Sequence, residues 1–219
     1  MQHHAKGQQS GKIEWAYTTL VIIVAWFALV LQFSISMPLL MAKGCSPRSA
    51  FVQILSYFTI LSNLLMVVCL SAILLAAKSR LGVFFKKPAV LTAVALYITI
   101  VAIIYNIILR NIWNPQGLPR LADELLHVVN PVLFIIYWFV FVNKAELQYR
   151  NIWPWLWYPL LYFIYSLVRG AISHQYPYPF LDAAQFGYAH VLLNAVILFA
   201  VIWALGAVYI FIGQKIAKK

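Results

Sequence analysis

Apolar residues run along this chain in six long stretches, 14 to 36, 49 to 76, 88 to 109, 121 to 142, 154 to 172 and 184 to 212, with nearly every charge held between them. A helix needs about 20 such residues to cross a hydrocarbon core. The pattern predicts an all-α, polytopic membrane protein, a compact six-transmembrane-helix bundle. The connecting segments are short, so successive spans are expected to be antiparallel neighbours with no separate soluble domain, and residues 1 to 219 read as one domain. Ser46 before Pro47 marks a capped start for the second span, and Pro88 after Lys86 and Lys87 opens the third. The connectors "WNPQGLPR" and "SHQYPYPFLD" read as interfacial turns, the second folding over the outer mouth of the bundle.

Polar residues interrupt the apolar runs in a pattern. In "SYFTILSNLL", Ser56, Thr59 and Asn63 recur at spacings of three and four, which puts them on one face of a continuous helix, with Gln53 extending the stripe. In "LADELLHVVNPVLF", Asp123, His127 and Asn130 do the same. Such faces should look into the bundle, because lipid offers them no partner. Ser, Thr and Asn in a span also serve as interhelical glue, and Asp123 and Glu124 also suit a first helical turn. An ionisable group inside a span, however, is a functional hypothesis by default. Arg169 lies near the outer end of the fifth span, where it either snorkels to the interface or pairs with a carboxylate, that of Asp182 or one carried by a lipid. Tyr105, Asn106, His190 and Asn194 are further candidates for the interior.

Composition agrees with this reading. The chain is 64% hydrophobic and only 10% charged, too apolar for one soluble core. Its net charge of +11 raises nucleic acid as a partner, but the basic residues flank spans and form no stripe on a soluble domain. Membrane orientation accounts for them, with membrane lipids and no nucleic acid as the expected partners. Lys6, Lys12, Lys78, Arg80, Lys86, Lys87, Lys144, Arg150, Lys215, Lys218 and Lys219 fall on one side, against Lys43, Arg48, Arg110 and Arg120 on the other. The positive-inside rule then predicts two cytoplasmic termini. The basic lead "MQHHAKGQQSGKIEW" carries no small-residue cleavage site, so the first span is expected to be retained. Cys45 and Cys69 are separated by a length of helix of roughly 35 Å, too far for a disulfide.

Depth joins the two polar faces. Thr59 lies eleven residues past Arg48 and His127 seven past Arg120, which is roughly 16 and 10 Å along their helices, a difference that ordinary tilt removes. A hydroxyl and an imidazole at one level are the minimum for base-assisted nucleophilic attack, and Asn63 or Asn130 is placed to donate to a developing oxyanion.

At "FTILSN" and "LLHVVNP" the sequence resembles the six-span membrane threonine hydrolases, the family of the androgen-induced protein and the androgen-dependent regulator of tissue factor pathway inhibitor, and looks like a bacterial relative. "WYPLLYFIYSLVRG" and "YPYPFLD" extend the likeness from the second span through the sixth. In that family an intramembrane threonine is the nucleophile, a histidine on a later span is its partner, and mammalian members cleave fatty acid esters of hydroxy fatty acids. The resemblance thus implies a carboxylic ester hydrolase of the bacterial cytoplasmic membrane, with Thr59 attacking, His127 as base, a lipid ester as substrate, and neither cofactor nor metal. Asp123 is a candidate to orient the imidazole, and Arg169 to receive a fatty acid carboxylate.

Other chemistries rest on fragments. Glu124 and His127 form a single Glu-x-x-His, half of a di-iron motif, and a haem would need His127 and His190 to face each other. No Gly-x-Ser-x-Gly, phosphate loop or Ser-x-x-Lys is present. The alternative from another class is a non-enzyme: a small transporter, receptor or lipid-binding scaffold.

Overall fold

The computed structural model describes residues 2–218, without the side chains of residues 2–8 and 10. The Lys6 and Lys219 side chains, counted above in the charge pattern, lie outside the described residues. Within them helix is the only regular secondary structure. In chain order the helices are α1 (Gln2–Ala42), α2 (Pro47–Leu55), α3 (Phe58–Leu75), α4 (Arg80–Phe85), α5 (Pro88–Ile107), α6 (Leu118–Glu124), α7 (Asn130–Phe141), α8 (Ile152–Trp155), α9 (Trp157–Ser173) and α10 (Ala183–Ala217). Ser46 accepts a hydrogen bond from the Ser49 amide and Pro47 opens α2, so that element starts where its sequence signals it.

Among the described residues five helices are long and apolar enough to cross a membrane: residues 11–42, 58–75, 88–111, 118–141 and 183–217. They mark an integral, multi-pass membrane protein. The expected fifth span, 154 to 172, is divided into α8 and the 17-residue α9. Large apolar side chains cover the outside, such as Val30, Leu75, Ile172 and Val196, as a bundle in lipid requires. Inside, α1 packs on α3 and α7, α5 packs on α3, α7 and α10, and α10 closes against α9. Trp138, Phe134, Met66, Leu96 and Ile202 fill the centre.

Two departures from regular helix shape the interior. The stretch expected as one span from 49 to 76 is broken between α2 and α3, where Tyr57 takes an extended conformation (φ −85°, ψ 129°). Polar side chains satisfy the backbone groups that the break frees. Ser56 Oγ donates to the Val52 carbonyl, and the Tyr162 hydroxyl donates to the Ser56 carbonyl at 2.9 Å. Irregular backbone survives at membrane depth only where protein supplies such partners. The second departure is a π-helical turn, Leu125–Val129, between α6 and α7. Pro131 explains it: proline has no N–H for the His127 carbonyl four residues back, and its ring crowds that oxygen. The Asn130 amide consequently reaches the Leu125 carbonyl, five residues back.

Candidate functional site

The helix break leaves Thr59 in the first turn of α3, where backbone N–H groups have no intrahelical acceptor and the helix dipole is positive. The π turn carries His127 to meet it. Thr59 Oγ1 lies 3.2 Å from His127 Nε2. On the far side of the ring, Nδ1 lies 2.9 Å from the Asp123 carbonyl and 3.2 Å from its Oδ1. Both of those groups are acceptors, so in the neutral ring the proton sits on Nδ1 and Nε2 is bare. The Thr59 hydroxyl therefore donates to Nε2. Asp123 is fixed in turn by the Tyr105 hydroxyl, which donates to Oδ2, while the Tyr105 ring stacks on the imidazole with centroids 3.8 Å apart. Thr59 and Asp123 are each 7% exposed, so hydroxyl, imidazole and carboxylate line up in a largely water-poor setting.

A fourth group comes from the 174–182 connector. The Tyr178 hydroxyl accepts from the Thr59 amide at 3.3 Å and lies 3.3 Å from Thr59 Oγ1. Burial pushes its phenol up to about 12, so it keeps its proton as a donor. Arg169 holds the connector by donating to the Gln175 carbonyl, and Asn194 holds it by donating to the Phe180 carbonyl, both at 3.0 Å. Gly170 lets the Tyr176 ring lie against α9, since a Cβ there would overlap it.

The structure uses several of the expected residues otherwise. Asn63 was expected to stabilise an oxyanion, but its two amide hydrogens go to the Thr59 and Leu126 carbonyls, at 2.9 and 3.2 Å. Asn130 donates to Asn63 Oδ1 at 2.8 Å. The two asparagines thus clamp α3 to the π turn and set the register of Thr59 against His127. Among the described residues Arg169 pairs with no carboxylate: it braces the connector, and Asp182 caps α10 by accepting from the Ala184 and Gln185 amides. Ser56 and Ser62 make contacts between helices, with the Tyr165 and Tyr158 hydroxyls. The stripe inferred from Ser56 to Asn63 is also not one helical face, because α3 begins only at Phe58.

Glu124 pairs with Arg110 at 2.7 Å, and His190 is exposed, with its ring nearest that of Phe186. Neither joins His127 in a ligand set, and among the described residues no three His, Cys, Asp or Glu side chains gather as a metal site. Asn106 is exposed and bonds back to the Ala102 carbonyl. Tyr178 and Tyr162 were missed as contributors to the site. The one signal for Tyr178 was its place between Pro177 and Pro179, which stiffen the connector.

Thr59, His127 and Asp123 border a chamber of about 590 Å³ whose rim includes Lys43, Gln53 and Gln116. No protein-family model, curated protein or solved structure matches this chain.

Proposed function

We propose that the chain is an intramembrane hydrolase of lipid carboxylic esters, with Thr59 as nucleophile and His127 as general base. The observation that carries this reading is the continuous line of Thr59 hydroxyl, His127 imidazole and Asp123 carboxylate beside a chamber. Thr92 and Thr99 bond back to a carbonyl one turn earlier, the common arrangement of a hydroxyl within a span. Thr59 instead faces a bare imidazole nitrogen.

In acylation, Thr59 Oγ1 bonds to the ester carbonyl carbon as its proton passes to His127 Nε2. The carbon–alkoxide bond breaks, and the alcohol leaves with that proton. Water then repeats the sequence on the acyl-threonine, releasing the acid and returning the proton to Thr59. Asp123 holds the imidazole and stabilises its charged form. Tyr178 and the first turn of α3 are the groups available to the oxyanion, the role first expected of Asn63 and Asn130. The resemblance to six-span membrane threonine hydrolases favours fatty acid esters of hydroxy fatty acids as substrates. The distribution of basic residues favours six spans with both termini cytoplasmic, and the resemblance favours the cytoplasmic membrane of a bacterium.

A fluorophosphonate probe with peptide mass spectrometry tests the reading. Thr59 should be labelled, labelling should vanish in His127→Ala, and Thr59→Ala should lose about 10³-fold or more of ester turnover while remaining folded. Turnover that survives Thr59→Ala would remove Thr59 as the nucleophile, whereas a wild-type protein with no ester turnover to lose would favour the ligand-binding scaffold.

A further inference from the structure

Thr59 and Tyr178 border a second space besides the chamber that contains His127. It is a slot of about 50 Å³ between α5, α9 and α10, walled by apolar side chains including Ile104, Phe163, Ala195, Phe199 and Ile202. Its volume holds about four water-sized groups, against about 590 Å³ in the chamber. From Ala195 to Ile202 it follows α10 for roughly 10 Å. Neither His127 nor Asp123 borders it, whereas both border the chamber.

We infer that the two spaces divide the ester: the acyl half lies in the slot as a thin, unbranched alkyl chain, and the alcohol half, bulky or branched, lies in the chamber. This rests on the hydrolase reading and deepens it. The direction follows from the proton. His127 must hand the Thr59 proton to the alkoxide as the carbon–oxygen bond breaks, so the leaving oxygen must be on the His127 side. The carbonyl carbon is at that moment bonded to Thr59 Oγ1, and the remaining direction from Thr59 is the slot. Once the alcohol departs, the acyl chain stays seated and the chamber is open to the water that His127 activates. Seated the other way, the acyl chain would fill the space that water and the departing proton both need. Ala195 is then a specificity-determining residue: its small side chain, 6% exposed, forms part of the slot wall.

Two esters differing only in the place of a diazirine test the assignment, photolysed with full-length Thr59→Ala protein in lipid nanodiscs so that they stay intact. A diazirine at the end of the acyl chain should give adducts within 157–173 and 183–217, and one at the end of the alcohol within 32–43 and 112–119. Kinetics on otherwise wild-type protein give the second arm. Ala195→Leu should lower the ratio of kcat/KM for long-acyl over short-acyl esters by about tenfold or more. The ratio for long over short alcohols should stay as it was. Phe199→Ala, which widens the same wall, should move the acyl ratio the opposite way. Reversed or mixed adducts overturn the assignment even where esters are hydrolysed. Adducts divided as stated with no turnover by wild-type protein would sustain the two compartments and overturn the hydrolase.

Discussion

A tyrosine that touches both the amide and the hydroxyl of one threonine has a single proton to place. At rest the Tyr178 hydroxyl accepts from the Thr59 amide and lies 3.3 Å from Oγ1, which is itself committed to His127. When Oγ1 gives up its proton and bonds to carbon, the carbonyl oxygen gains charge, and Tyr178 can turn its proton to it without moving its ring. Tyr178→Phe keeps the ring stacked on Phe180 and removes the hydroxyl, both this donor and the acceptor of the Thr59 amide. The expected result is a fall in kcat of about 10²- to 10³-fold with little change in KM, the signature of an interaction made in the transition state. The sign of the pH effect follows from the same proton. The phenol is raised by burial to about 12, so it donates below that value and loses the ability above it. Ester turnover should show no alkaline limb from this group until pH nears about 12, and a limb well below it that is absent from Tyr178→Phe would contradict the burial argument.

The site exists because two helices are irregular where they meet. A continuous helix from 49 to 76 would have committed the Thr59 amide to the Leu55 carbonyl and taken Thr59 out of a helix N-terminus. The break instead needs the Tyr162 hydroxyl on the Ser56 carbonyl. Tyr162→Phe should therefore cost about 1–3 kcal/mol of stability for a stranded carbonyl, measured as reversible unfolding in detergent. It should also lower turnover, since the end of α3 carries the proposed nucleophile; unchanged stability and turnover would show that the break supports itself. This explains how much of the site was legible beforehand. Spacing selected Thr59, Asp123 and His127 because each stands out chemically in an apolar run, and these three do meet. The route was wrong in detail: the stripe through Ser56 assumed a regular helix, and no local signal announced that Tyr162, more than a hundred residues away, would stabilise its interruption. The π turn was closer to legible, since Pro131 imposes a defect four residues upstream. Asn63 and Asn130 were chosen for donor chemistry. Their hydrogens were instead consumed by the clamp, which only long-range geometry reveals.

Taken together, the helices set the site, the connector with Tyr178 and the 112–118 segment at one end of the bundle. Lys78, Arg80, Lys86, Lys87, Arg150 and Lys215 gather at the other. Lys144 also belongs to that second end but serves the fold. It is 4% exposed and donates to the Phe139 and Val142 carbonyls, and burial lowers its pKa. Even without Lys144 the basic excess at that end remains, and under the proposed orientation that end faces the cytoplasm. The chamber bordered by Lys43 and Gln116 would then open outward, and its alcohol product would be released on the outer side. With Cys45→Ser and Cys69→Ala removing the native thiols, Gln116→Cys should react with an impermeant maleimide on intact cells. Lys86→Cys should react only after permeabilisation. The proposed six-span arrangement would bring both termini to the Lys86 side, and tags at either end should then be protected along with it. Labelling of Lys86→Cys on intact cells would invert the protein and send its products inward, whereas one protected and one exposed terminus would mean that α9 does not complete a crossing.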